Sequence, residues 1–182
     1  GKGRFELMEV LKASNRARAL VKQILTFSRM TETEYSPIAL STVIKESIRM
    51  LRSVIPSNIE IRQDLNAKGL VMSDPTQINQ VMINLCTNAA HAMDETGGIL
   101  EVRLHEVTVD NSAASSGLDI APGPYVKITV SDTGMGIPEE IRERIFEPYF
   151  TTKELGRGTG LGLSVVHGIA KSHNGTVTCR SS

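Results

Sequence analysis

Three groups of side chains in this 182-residue sequence have types and spacings that suit chemistry. The first is an amide pair, Asn84 and Asn88, in a segment with helical apolar spacing. At about 100° per residue the two lie about 40° apart, beside the stripe Ile78, Val81, Met82, Leu85 and Ala89 rather than opposite it. Gln77 and His91 share this polar flank. Amides at the edge of a buried face need partners. Either they cap neighbouring loops and strands, or their carbonyl oxygens face a hard cation such as Mg²⁺ together with phosphate. The second group is Asp132-Thr133-Gly134-Met135-Gly136-Ile137, directly after an alternating run. A carboxylate at a strand end, followed by glycines, can accept a hydrogen bond from the exocyclic amine of a flat base and leave room for its ring. The same pattern also serves ordinary strand-to-helix turns. The third is Gly156-Arg157-Gly158-Thr159-Gly160-Leu161-Gly162-Leu163, with Lys153 just upstream. Backbone N–H groups at a glycine-rich helix start cradle phosphate, and the helix dipole favours the anion; a plain hinge is the alternative. The spacing fits neither a Walker loop nor the dinucleotide fingerprint.

The elements that must position these groups are legible in outline. Residues 1–30 hold seven basic side chains and two acidic ones, so the neutral total of 20 against 20 conceals a basic opening of +5 and an acidic remainder of −5. Val10, Ala13, Ala17, Leu20, Ile24 and Phe27 form a heptad seam, which predicts a helix over about residues 4–31, roughly 40 Å long at 1.5 Å per residue. Residues 32–37 read as a linker. The sequence then predicts a short strand at Ile38–Leu40, a helix at Thr42–Val54 capped by Ser41, and a strand through Ile59, Ile61 and Leu65. A helix from Pro75 to about Met93 follows, with Asp74 as its cap. Strands come next at Ile99–Val109 and from Val126 to Asp132, then short helices at Pro138–Ile145 and Leu161–Lys171, and a last strand at Thr176–Arg180. The expected fold is an α/β (α+β) two-layer sandwich, a mixed sheet with helices on one face, preceded by the long helix. Zero net charge argues against a nucleic-acid binder. No run is long enough for a membrane span, and two cysteines make a reducing, cytoplasmic setting the default.

The order of the motifs carries a resemblance. Gln80–Met93 resembles the N box of sensor histidine kinases, within the GHKL superfamily of ATP-binding proteins, and Asp132–Gly136 resembles their first G box. Phe146–Lys153 (FEPYFTTK) resembles their F box and Gly156–Leu163 their second G box. Asn15–Val21 and Leu25–Arg29 look like the second helix of the dimerisation and phosphoacceptor hairpin, which places 1–31 there and an ATP-binding domain at 38–182.

The resemblance implies that Asn88 supplies an oxygen to Mg²⁺, with Asn84 beside it, and that Asp132 binds the adenine amine. Gly134 and Gly136 would pass under the base with Ile137 near. Phe146 and Phe150 would anchor a lid that carries Thr152, Lys153 and Arg157, and Gly158, Thr159, Gly160, Leu161 and Gly162 would hold the phosphates. The implied reaction moves the γ-phosphoryl group of ATP to a histidine on the dimerisation helix, for relay to a response regulator, in a homodimer that is membrane-anchored or soluble. An asparagine at position 84, where hydrolysing relatives place a glutamate base, favours kinase over ATPase, since an amide accepts no proton at neutral pH. A non-catalytic ATP-gated module and another GHKL-type ATPase remain the alternatives. No histidine here suits the phosphoacceptor, which is expected upstream of Gly1, and relatives add a glycine turn and strand after Ser182. His91 stands where many relatives carry a phosphate-touching lysine. Either a titrating imidazole there makes ATP affinity pH-dependent, or it is an ordinary helix-surface histidine.

Overall fold

From Tyr35 the chain enters strand β1 (Ser36–Ala39) and passes straight into helix α1 (Leu40–Leu51). The computed structural model describes residues 35–110, 120–153 and 158–181; the expected helix over 4–31, Gly156 and Arg157 lie outside these. Leu40, Val43, Ile44, Ile48 and Leu51 recur at three- and four-residue spacing and form the buried face of α1. The expected cap at Ser41 is replaced by Ala39 in an extended conformation without a side-chain bond, because the strand itself delivers the first turn. At the other end the Arg52 guanidinium donates to Ile59 O at 2.8 Å and Pro56 O at 2.9 Å. That grip folds the chain back at Leu51, three residues before the expected end of the helix.

Strand β2 (Ile59–Leu65) follows, then β3 (Leu70–Ser73), a strand the sequence reading lacked. β3 pairs antiparallel with β1, with Ser36 opposite Ser73 and Ala39 opposite Leu70. Its four residues are too few for alternation to announce it. Helix α2 (Pro75–Ala92) begins as its sequence predicts: the Asp74 carboxylate accepts from Thr76 N at 2.7 Å, and Pro75 occupies the first turn, where no N–H is missed.

The mixed sheet has the order β2–β4–β5. β4 (Gly98–Val109) runs parallel to β2 and antiparallel to β5 (Gly123–Asp132). Along β4, Leu100, Val102 and Leu104 are almost wholly buried, whereas Arg103 between them is exposed. One face of the sheet is therefore apolar. It shares a core with α1 and α2 through Ile44, Ile48, Ile78, Met82, Cys86 and Met93. Burial pushes the Cys86 thiol up to about 12, which leaves it an inert core group.

Beyond β5 the expected helix at Pro138–Ile145 resolves into a single turn, α3 (Glu139–Arg142), and a 3-10 turn (Arg144–Phe146). Helix α4 (Gly162–Ser172) then packs on α2 through Val166 and Ile169 against Val81, with Leu85, Val165 and Val177 around them. The expected strand at Thr176–Arg180 is absent: Val177 is seated in that cluster, but the segment makes no ladder. Alternation reports which side chains are buried, not whether a backbone neighbour exists to pair with.

Ile44 is wholly buried and Ile83 is exposed on α2. Ile44→Ala is expected to lower the unfolding free energy by about 2–5 kcal/mol, through lost transfer energy and a cavity, and Ile83→Ala to stay within about 0.5 kcal/mol. Urea melts of the two variants check the assignment of the core.

Candidate nucleotide site

Helix α2 is buried on two sides. Ile78, Met82, Cys86 and Ala89 face the sheet cluster, and Val81 and Leu85 face α4. Asn84 and Asn88 fall on the strip beside the α4-facing side, both partly buried. The Oδ1 of Asn84 accepts from Gln80 Nε2 at 3.3 Å, one helical turn before it. Its Nδ2 is buried with no hydrogen-bond partner among the described residues. Gly162, the first residue of α4, lies against this amide: a Cβ added there would be 3.4 Å from Asn84 Oδ1.

One turn further on, the Lys153 ammonium donates to Asn88 Oδ1 at 3.2 Å and to His91 Nδ1 at 2.9 Å. An ammonium has only donors, so Nδ1 of His91 is the acceptor and its proton sits on Nε2. Burial holds the Lys153 amine below its usual range, because removal from water penalises the charged ammonium.

At the C-terminal end of α2, the turn after β5 closes on the helix. A Cβ on Gly134 would stand 2.5 Å from Ala92 O, and Met135 N donates to that oxygen at 3.2 Å. Asp132 is exposed, and its Oδ1 accepts from Gly134 N at 2.9 Å. Thr133 fixes the other side of the turn by accepting from Ile99 N at 3.0 Å. Gly136 follows at φ +72, and Ile137 N donates to Ser181 Oγ at 2.7 Å.

The segment between the 3-10 turn and α4 has its two ends together. Gly160, at φ +67, lies so close to the Tyr149 carbonyl that no Cβ would fit, and Tyr149 itself has φ 68. A Cβ on Gly158 would be 2.6 Å from Thr151 Oγ1. Phe146 stacks obliquely on His167 of α4 at 6.0 Å, and the Arg144 guanidinium covers the Phe150 ring at 4.5 Å. Thr152 is exposed at the start of this segment, and Thr159 Oγ1 accepts from Leu161 N at 3.4 Å just before α4.

The residues singled out from the sequence thus meet in pairs: Asn84 with Gly162, Asn88 and His91 with Lys153, and Gly134 with the end of α2. Arg157 lies outside the described residues. The sequence reading quoted Gln80, Thr133 and Tyr149 within its motifs but gave none of them a role. Gln80 was discoverable, since it stands four residues before Asn84 on the same flank. Tyr149 was not, because a left-handed tyrosine leaves no trace in composition.

The donor set fits a polyanion accompanied by a hard cation. A buried amide N–H without a partner suits a phosphate oxygen, and an amide oxygen already turned toward an ammonium suits a metal cation. Among the described residues no group of three His, Cys, Asp or Glu could hold a metal, so such an ion would lean on amide and phosphate oxygens.

A mixed sheet covered by a two-sided helix, with a glycine turn at one end of that helix and a glycine-rich helix start at its middle, defines an α/β nucleotide-binding domain. The chain belongs to the histidine kinase-, DNA gyrase B-, and HSP90-like ATPase family, whose model matches residues 73–182. It is 39% identical over 178 residues to the sensor kinase CckA of Brucella abortus (strain 2308), covering 97% of this chain and 19% of that protein. Identity to the sensor histidine kinase ZraS of Escherichia coli (strain K12) is 34%, over 97% of this chain and 35% of that one. The histidine kinase ThkA, solved in complex with the response regulator protein TrrA, superposes with a TM-score of 0.62 at 27% identity, over 90% of this chain and 42% of that chain. The chain therefore spans a fifth to about a third of the length of these curated relatives.

Two glycines separate crowding from freedom. Gly134 meets the α2 backbone, whereas a Cβ on Gly168 in α4 would meet nothing within 4 Å. Gly134→Ala is expected to weaken nucleotide binding at least tenfold as the turn is pushed off α2, while Gly168→Ala raises stability by about 0.4–1 kcal/mol. Calorimetric titration with an ATP analogue and thermal melts read the two effects.

Proposed function

We propose that this chain is the ATP-binding catalytic part of a sensor protein-histidine kinase, which passes the γ-phosphoryl group of Mg·ATP to a histidine imidazole on a dimerisation helix. The observation that carries this reading is the amide strip of α2, with Gly162 seated on Asn84 and Lys153 on Asn88. Membership of the family supplies the ATP site, and likeness to proteins named as sensor kinases supplies the reaction class.

In this reading Asn88 turns its oxygen to Mg²⁺, which neutralises charge on the phosphates. Asn84 donates its buried N–H to a phosphate oxygen, which leaves Asn88 as the protein's principal metal contact. Asp132, one of whose oxygens is held by Gly134 N, presents the other to the adenine amine. Gly134, Gly136 and Ile137 line the base. Phe146 and Phe150 anchor the lid, from which Thr152, Lys153 and Arg157 reach the nucleotide. Gly158, Thr159, Gly160 and Leu161 offer backbone N–H groups at the start of α4, where the helix dipole favours phosphate. Phosphoryl transfer needs positioning and charge neutralisation more than covalent chemistry, and these residues supply both.

The whole protein would place residues 1–31 as the second helix of a dimeric hairpin, the stretch from 32 up to β1 as its linker, and the chain from β1 onward as a two-layer sandwich with helices on one face. The phosphoryl group would go on to the receiver domain of a response regulator. No helix among the described residues is long and apolar enough to cross a membrane. A cytoplasmic site of action accords with an ATP substrate.

The test supplies a separate hairpin carrying a phosphoacceptor histidine together with γ-labelled ATP. Label on the histidine is the expected result. Retained Mg·ATP binding without transfer would instead make the domain an ATP-gated interaction module, and absence of binding would overturn the reading altogether. The amide at position 84 generates a second expectation. It cannot take a proton from water, so Asn84→Glu should raise basal ATP hydrolysis severalfold or more. An unchanged rate in a variant that still binds ATP would count against the argument.

A further inference from the structure

His173 ends helix α4, and both of its ring nitrogens are engaged. Nδ1 is 2.8 Å from Ile169 O, and Nε2 is 2.8 Å from the hydroxyl of Ser73. A carbonyl oxygen only accepts, so Nδ1 carries a proton and caps the helix. Ser73 is fully buried, ends β3 opposite Ser36, and stands directly before Asp74, the cap of α2. The Tyr35 ring leans on the imidazole at 5.3 Å. The end of α4 is thereby joined to the beginning of α2.

The consequence lies at the opposite ends of both helices. Asn84 stands nine residues after Pro75, the first residue of α2, and Gly162 stands 11 residues before His173, so about 14 Å and 16 Å of helix rise separate the two contacts. Among the described residues, the helices meet between these points through the apolar cluster of Val81, Leu85, Val165, Val166 and Ile169, contacts without direction. Such contacts hold the helices together but do not fix how far one slides along the other. The Ser73–His173 hydrogen bond does fix it, since a shift of one residue, about 1.5 Å, would break it.

We infer that Ser73 and His173 are positioning residues for the nucleotide site: their hydrogen bond sets the axial register of α4 on α2, and so the seat of Gly162 on Asn84. Neither side chain touches nucleotide in this account. The inference rests on the phosphate-binding reading of Asn84 and the start of α4 given above.

Two isosteric amides separate this role from a local helix cap. Asn in place of His173 can mimic Nδ1 but falls short of Ser73, whereas Gln can mimic Nε2. His173→Asn and Ser73→Ala are each expected to weaken Mg·ATP binding about fivefold, equivalent to about 1 kcal/mol. The double variant should be no weaker than either single one, and His173→Gln should restore most of the affinity. Affinities are read by calorimetry well below each variant's melting temperature, which is recorded alongside, so that a loss of stability alone leaves them unmoved. Wild-type affinity in His173→Asn, or additive losses in the double variant, would overturn the inference. A wild-type chain that fails to bind Mg·ATP would instead remove the reading on which it rests.

Discussion

The structure depends on one constraint: helix α2 must bury two faces at once. Its sheet-facing side enters the main core through Ile78, Met82, Cys86 and Ala89, while Val81 and Leu85 meet α4. A helix held on two sides has little freedom to roll. Whatever lies on the strip beside the α4-facing side inherits that rigidity, and here it is the series Gln80, Asn84, Asn88, His91. The polar series is exposed enough to meet a ligand and enclosed enough for its dipoles to act in a medium less screening than water. A helix with one buried face would have left these amides on a mobile outer surface.

The second device is the way loop ends are brought to that strip. Gly134 rests on the last carbonyls of α2, and Gly160 rests on the Tyr149 carbonyl. Both are contacts of backbone on backbone, which have no rotamers to adjust. They hold the turn after β5 against α2 and Gly160 against Tyr149, whatever the residues beyond them do. The aromatic contacts, Phe146 on His167 and Arg144 over Phe150, add attraction at the base of the same segment. On the proposed reading, backbone contacts shape the parts that recognise base and phosphate, whereas the cation Lys153 is carried on a flexible stem.

Local patterns in the sequence led directly to some of this. The Asp74-Pro75 start of α2, its stripe, β4 and β5 each follow from a cap or a period within one segment, and they stand where expected. Asn84 and Asn88 were legible as a pair because helical geometry places residues four apart on one flank. What escaped depends on partners distant in sequence. β3 exists because β1 lies beside it, and residues 176–180 make no ladder among the described residues. The early end of α1 is set by Arg52 reaching carbonyls beyond the helix. The bond between Ser73 and His173 spans 100 residues and joins two side chains that look unremarkable in isolation.

The electrostatics of Lys153 follow from the same arrangement. Its ammonium is partly removed from water, and its hydrogen-bond acceptors among the described residues are neutral, an amide oxygen and an imidazole nitrogen. A carboxylate at either position would hold it through ion–ion attraction of several kcal/mol at an effective dielectric constant of about 20. Neutral dipoles hold it far less firmly, so its desolvation is incompletely offset, as its lowered basicity indicates. A cation in that condition gains when an anion arrives. A polyphosphate chain would supply the missing counter-charge without first having to compete against a fixed carboxylate. An acidic residue at 88 would have improved the resting contact while weakening the response to an anionic ligand. On the proposed reading, the amides of α2 would leave the completion of charge neutralisation at the site to the ligand.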